Sequence, residues 1–251
     1  MRIIPTMMLG LVLIGAPLGR AQTDETDALQ RLLGEGNAAV QAGELDTAIA
    51  RYQRVLASLD PDSPGAGDLN LRLGETYRRK GDLDSAIRSL ARANDLLPGN
   101  ATIVGTLALA LDSSGNRVDA QRAYRAAIEL DANNAIAMNN LAFLLAEGGT
   151  DLDEALRLAR RAMEISPSAM EITDTAGWVQ LKRGDNDAAI ALFAEAVAKE
   201  PSEEGFRDHL LMALERKGDR DGIRGETITA LKQVSTPENL ARVTALIQGL
   251  K

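Results

Sequence analysis

Six glycines divide this chain at nearly equal intervals, and that period constrains the fold more than any local preference does. Gly43, Gly81, Gly115, Gly149, Gly184 and Gly218 are separated by 38, 34, 34, 35 and 34 residues. Five or six residues after each of the first five stands an alanine: Ala48, Ala86, Ala120, Ala155 and Ala189. Acids fill the interval, as in Gly43-Glu44-Leu45-Asp46-Thr47-Ala48, Gly81-Asp82-Leu83-Asp84-Ser85-Ala86 and Gly184-Asp185-Asn186-Asp187-Ala188-Ala189. A unit this short cannot bury its apolar side alone, so neighbouring units must stack into a continuous core.

Each glycine marks a place where one helix stops and another begins. A residue without Cβ adopts the left-handed cap, and the acids that follow meet the positive N-terminus of the next helix. The composition agrees: aromatics are 3% of the chain while Ala and Leu abound, a balance that favours helices over strands. In the second unit Leu73, Gly74 and Tyr77 form one apolar stripe, and Ala86, Leu90 and Ala93 form another before Pro98 ends it. The unit is therefore two antiparallel helices, with small residues at Gly74 and Ala86 where they meet.

These positions resemble the tetratricopeptide repeat family. The pattern reads Leu73, Gly74, Tyr77, Gly81, Ala86, Leu90, Ala93, Pro98, then Leu107, Ala108, Leu111, Gly115, Ala120, Tyr124, Ala127. It continues through Leu141, Ala142, Leu145, Gly149, Ala155, Ala159, Ala162, Pro167 and through Gly177, Gly184, Ala189, Phe193, Ala196, Pro201. The first unit, with Gly36, Gly43, Ala48, Tyr52 and Pro61, fits more loosely, and the sixth carries Ile223 and Thr227 where Ala and an aromatic would stand. The resemblance implies an all-α, right-handed superhelical solenoid of antiparallel helix pairs. Its units run about 29–62, 67–100, 101–134, 135–169, 170–203 and 204–234, after a lead-in at 22–28. A capping helix at 235–251 would show an apolar face at Leu240, Val243, Ile247 and Leu250. Pro61 to Gly67 accounts for the four-residue excess between the first two units and reads as a mobile loop. One extra residue precedes Ala155. Runs such as Asn140-Leu141-Ala142-Phe143 and Asp174-Thr175-Ala176-Gly177-Trp178 also resemble an exported bacterial subgroup, some members of which accompany exopolysaccharide systems.

Residues 1–21 read as a secretory signal peptide. Arg2 precedes an apolar run from Ile3 to Ala16, then Pro17 and Gly19-Arg20-Ala21. The run is shorter than the roughly 20 residues that span a bilayer, which favours cleavage over an uncleaved anchor. The expected destination is the periplasm or cell surface, with no stable membrane insertion after cleavage. Loss of Arg2 and Arg20 moves the formal charge from −8 to −10. A chain this acidic is repelled by phosphate backbones, so nucleic acid is not an expected partner.

Chemistry is scarce. With no Cys and one His, His209, the chain lacks thiolate metal sites, Cys nucleophiles and multi-histidine centres. Asp219-Arg220-Asp221-Gly222 begins like a calcium loop but lacks the further oxygen ligands, and helix-start acids explain it better. His209 reads as a packed or exposed helical residue. No catalytic, cofactor or metal site is expected.

A surface is the stronger signal. The resemblance implies that first-helix positions 2, 5, 9 and 12 line a concave face. Position 9 holds Asn37, Glu75, Leu109, Phe143, Trp178 and Met212 in successive units, and position 5 holds Asn139, Asp174 and Asp208 in the fourth to sixth. Leu109, Phe143, Trp178 and Met212 either pack neighbouring first helices or bind a partner. Tyr52, Tyr77, Tyr124 and Phe193 already supply the signature core positions, which favours binding. The expected ligand is a protein or peptide with apolar and basic side chains, the bases meeting Asp174 and Asp208 beside Asn139. The first expectation to check is export: intact mass of the protein recovered from an envelope fraction should correspond to a chain starting at Gln22, and full-length protein in the cytosol would overturn it.

Overall fold

The computed structural model describes residues 20–218, 222–232 and 237–249. Most of the leader, the acids of Asp219-Arg220-Asp221, Thr236 and Leu250 lie outside the described residues, as does the Ile223 side chain. Among the described residues there are thirteen α-helices and no strand. The chain divides into two compact units at Pro61 and Asp62.

The first unit holds α1 (Arg20–Ala42) and α2 (Leu45–Leu56), so the expected lead-in at 22–28 is part of a helix. Tyr52 of α2 is buried and its hydroxyl donates to Asn37 Oδ1 of α1 at 2.8 Å. A Cβ on Gly36 would stand 2.6 Å from the Tyr52 ring, so the two helices meet where α1 has no side chain.

The second unit repeats this pairing: α3 (Pro64–Lys80) with α4 (Leu83–Leu96), α5 (Ala101–Ser113) with α6 (Arg117–Leu130), and α7 (Ala135–Gly148) with α8 (Leu152–Ile165). Then come α9 (Met170–Arg183) with α10 (Asn186–Lys199), α11 (Glu204–Lys217) with α12 (Gly222–Lys232), and α13 (Pro237–Ile247). The signature residues form the core. Leu90, Tyr124 and Phe193 are at most 1% exposed, and the alanines that follow the glycines are fully enclosed. Gly184 caps α9 at φ +88°, and Asp185 then accepts from the Ala188 amide to start α10.

The segment read as a mobile loop is instead a helix start. Ser63 is the N-cap of α3, its hydroxyl accepting from the Ala66 amide at 3.2 Å, with Pro64 in the first turn and Ala66 and Gly67 buried. Proline is tolerated there because its missing N–H would have no intrahelical partner. The extra residue before Ala155 is taken up at Asp151, whose φ of +46° is the one positive value of a non-glycine among the described residues.

Polar ties join units almost one repeat apart. Arg125 of α6 holds Glu154 of α8 through two hydrogen bonds of 3.0 and 2.8 Å, Arg183 reaches Asp153, and Lys217 reaches Asp187. At the far end Thr227 of α12, fully enclosed, stands where an aromatic would. Val243 and Ile247 of α13 enter the same core as Phe193, Leu214 and Ile228, while Leu240 is half-buried. An end helix covers the apolar side that a last repeat would otherwise expose.

The helix contact can be tested at Gly177, where an added Cβ would lie 2.7 Å from the buried Phe193 ring. Gly177→Ala should destabilise the protein by about 1–2 kcal/mol in denaturant unfolding, although alanine is the better helix former, because overpacking outweighs the propensity gain. Phe193→Leu introduced with it should be less costly than on its own, and simple additivity of the two would overturn the contact.

Candidate partner-binding face

Position 9 falls on α5, α7, α9 and α11, and its side chains are accessible to different degrees. Phe143 is 40% exposed and Met212 46%, while Leu109 and Trp178 are half-buried against the core. Ile136, two turns before Phe143 on α7, is 59% exposed and extends the apolar strip. Large apolar side chains held open to water at equivalent places on neighbouring helices are what a recognition surface provides.

The aromatic groups are in register from surface to core. The Phe143 and Trp178 rings are stacked at 6.5 Å between centroids with 28° between planes. Trp178 lies 4.9 Å from the His209 ring, which in turn lies 5.4 Å from Phe193. Trp178 Nε1 donates to Glu147 Oε1 at 2.9 Å. Lys182 Nζ sits 3.1 Å from the same carboxylate oxygen and 4.7 Å from the indole centroid, a cation–π contact. Burial pushes the Glu147 carboxyl up, but the hydrogen bonds from Lys182 and Trp178 and the charges of Lys182 and Arg117 outweigh it and hold the group below the usual range. The indole therefore has a fixed orientation before any partner arrives.

The polar residues expected beside the column divide. Asp208 is exposed on α11 and carries no salt bridge among the described residues, so it is open to a partner. Asp174 is only 8% exposed, and its two carboxylate oxygens lie 3.0 and 2.9 Å from His209 Nδ1, so the ring donates to it. Asn139 is half-buried one turn from Phe143, with Nδ2 3.4 Å from Asn140 Oδ1 and its own Oδ1 enclosed without a hydrogen-bond partner. Sequence reasoning missed Ile136 and the pair Glu147 with Lys182. The pair had a signal: both residues stand two places before a capping glycine, with opposite charge in successive units.

The α3 and α5 end of the face holds carboxylates of another kind. Glu75 is exposed on α3, yet partial desolvation by its neighbours raises its carboxyl pKa, against the lowering effect of Arg72, Arg78 and Arg79. Burial likewise raises Asp112 against Arg117, and Asp68 against Arg72.

Comparison with known proteins fits this architecture. The family described as tetratricopeptide repeat matches residues 33–101 and 106–169. A tetratricopeptide repeat-containing protein of Pseudomonas aeruginosa is 24% identical over 178 residues, covering 71% of this chain and 30% of that protein. Cellulose synthase operon protein C of Pseudomonas fluorescens is 30% identical over 130 residues, 52% of this chain and 10% of that protein. The chain thus spans a third or less of these relatives' length. Among solved structures, MamA is 26% identical with a TM-score of 0.61, covering 70% of this chain and 93% of its own. A tetratricopeptide repeat protein from Parabacteroides merdae reaches 0.68 at 14% identity, over 88% and 99% of the two chains. YrrB, described as having an unusual peptide-binding site, reaches 0.60 at 22% identity, over 77% and 97%.

The raised Glu75 carboxyl gives a signed prediction. A carboxyl that holds its proton more tightly folded than unfolded weakens folding once the pH exceeds the unfolded value, about 4.3, and has no effect below it. Glu75→Gln should therefore be more stable than the parent at neutral pH, and the difference should vanish on acidification through that range. Paired urea titrations at pH 7 and pH 3.5 check it, and a variant less stable at pH 7 would overturn it.

Proposed function

Because this chain belongs to the tetratricopeptide repeat family, we propose that it is a non-catalytic scaffold of the bacterial cell envelope that holds a protein partner on the face formed by its first helices. The observation that carries the reading is the strip of Phe143, Met212 and Ile136, open to water beside a Trp178 fixed by Glu147 and Lys182. Aromatic and Met side chains in such a strip serve as anchors. Leu109 and Asn139 border it, Asp208 offers a carboxylate to a basic group, and Asp174 acts by positioning His209 beneath the indole. Among the described residues, no helix is long and apolar enough to cross a membrane.

The leader-like residues 1–21 support an exported location. The likeness to cellulose synthase operon protein C favours a second, narrower reading, an accessory subunit of exopolysaccharide or envelope export and assembly. The peptide-binding site named for YrrB is compatible with the first.

Capture from an envelope extract distinguishes a binding strip from helix packing. Proteins retained by the parent should be lost with Trp178→Ala, the affinity falling about 30-fold, or ~2 kcal/mol, while helical content is unchanged. Unaltered retention, or a Trp178 emission inaccessible to a soluble quencher in the parent, would sink the reading.

A further inference from the structure

Sulfur chemistry in this chain belongs to methionine alone. The sequence has no Cys, and of its seven Met, Met1, Met7 and Met8 fall in the leader-like residues. The other four are placed unequally. Met138 and Met170 are 4% and 5% exposed inside core clusters, and Met163 is half-buried against the cluster that holds Met138. Met212 is 46% exposed. A thioether has no proton to lose, so its reaction with a peroxide is governed by access rather than by a neighbouring base.

The open methionine also stands where a change of polarity would be felt. Met212 holds position 9 of α11, at the end of the apolar strip, three and four residues after His209 and Asp208. Residues so spaced share a helix face, which puts Met212 on the same side of α11 as the imidazole 4.9 Å from the Trp178 ring. The core side of α11 is supplied by Phe206, Leu210, Ala213 and Leu214, so the fold does not depend on an apolar group at 212. Among the described residues the large apolar side chains open to water are Val118, Leu130, Ile136, Phe143 and Met212. Of these, Met212 is the one that a mild oxidant turns into a polar group.

We infer that Met212 is a reversible oxidation site: a peroxide converts its thioether to the sulfoxide, which weakens the hold on the partner, and reduction restores it. The inference rests on the partner-binding reading and adds a means of regulating it. In the forward step a sulfur lone pair attacks one oxygen of hydrogen peroxide, an S–O bond forms as the O–O bond breaks, and the proton of the transferred oxygen passes to the departing one, which leaves as water. Sulfur gives up an electron pair and the peroxide takes it. In the reverse step, catalysed by a methionine sulfoxide reductase, a pair of thiols is oxidised to a disulfide while the sulfoxide oxygen leaves as water. The sulfoxide keeps the chain's charge but puts a strong hydrogen-bond acceptor in place of an apolar sulfur. An apolar partner group cannot satisfy that acceptor once water is excluded.

Peroxide treatment of the full chain, followed by digestion and peptide mass mapping, tests the site. The Met212 peptide should gain one oxygen before Met138, Met163 or Met170 gains any, with helical content and urea midpoint unchanged. Binding is read with dye-labelled peptides selected from a displayed random library on the unoxidised chain and lost on Trp178→Ala. Their affinity should fall about tenfold on oxidation, the order expected when part of a buried Met contact is lost, and should return after treatment with the reductase and a dithiol. Met212→Leu should bind as the parent does and ignore peroxide, while Met212→Gln should bind like the oxidised chain. Earlier oxidation of another described Met, unaltered affinity once Met212 is oxidised, or a Met212→Leu chain that still weakens with peroxide would overturn this inference alone. If selection yields no peptide that Trp178→Ala loses, the partner-binding reading falls and takes the inference with it.

Discussion

The stacking of this protein depends on a contact between a glycine of a first helix and a large side chain of the second helix, made in three of the helix pairs. Gly36 faces Tyr52, Gly74 faces Leu90 and Gly177 faces Phe193, each so close that a Cβ would overlap its partner. Leu90 and Phe193 are fully enclosed as a result. Close approach sets the crossing of the two helices, and the crossing sets which residues of each first helix remain outside. Position 9, one place along from the glycine, lies at the edge of that contact, and its side chain is polar in one unit and aromatic in another.

Much of the fold was legible because the repeat recurs, plainly in five units and weakly in a sixth. Capping glycines, enclosed alanines and the large residue nine places on can each be read from spacing alone, since their roles depend on backbone geometry and volume. The start of α3 was misread for a local reason. Four surplus residues and three small or cyclic ones suggested a loop, whereas Ser63 followed by Pro64 is a helix-start pair whose hydroxyl closes the first turn. The site divides similarly. Placement of Leu109, Phe143, Trp178 and Met212 on successive first helices follows from the period, but the pairing of Asp174 with His209, and so the loss of that carboxylate to a partner, depends on rotamers and on residues 35 apart.

Acids and bases balance along the first helices α3 to α11, but at positions 2, 5, 9 and 12 of those helices seven acids stand against the single base Arg78. Second helices carry arginines such as Arg125, Arg157, Arg160 and Arg161. Part of that basic surface is neutralised by ties such as Arg125 to Glu154 and Arg161 to Glu164. In a chain with a formal charge of −8, the acids at those four positions would steer a basic partner toward the apolar strip at low ionic strength.

The ties that join the repeats have a kinetic meaning as well. Arg125 with Glu154, Arg183 with Asp153, Trp178 with Glu147 and His209 with Asp174 span 29 to 35 residues, about one repeat each. Ordering can therefore begin at any helix pair and spread by closing loops of one repeat at a time, without waiting for the chain ends to meet. Low contact order of this sort is associated with rapid folding. It shortens the interval in which Phe193, Leu210 and the rest of the core are exposed during folding.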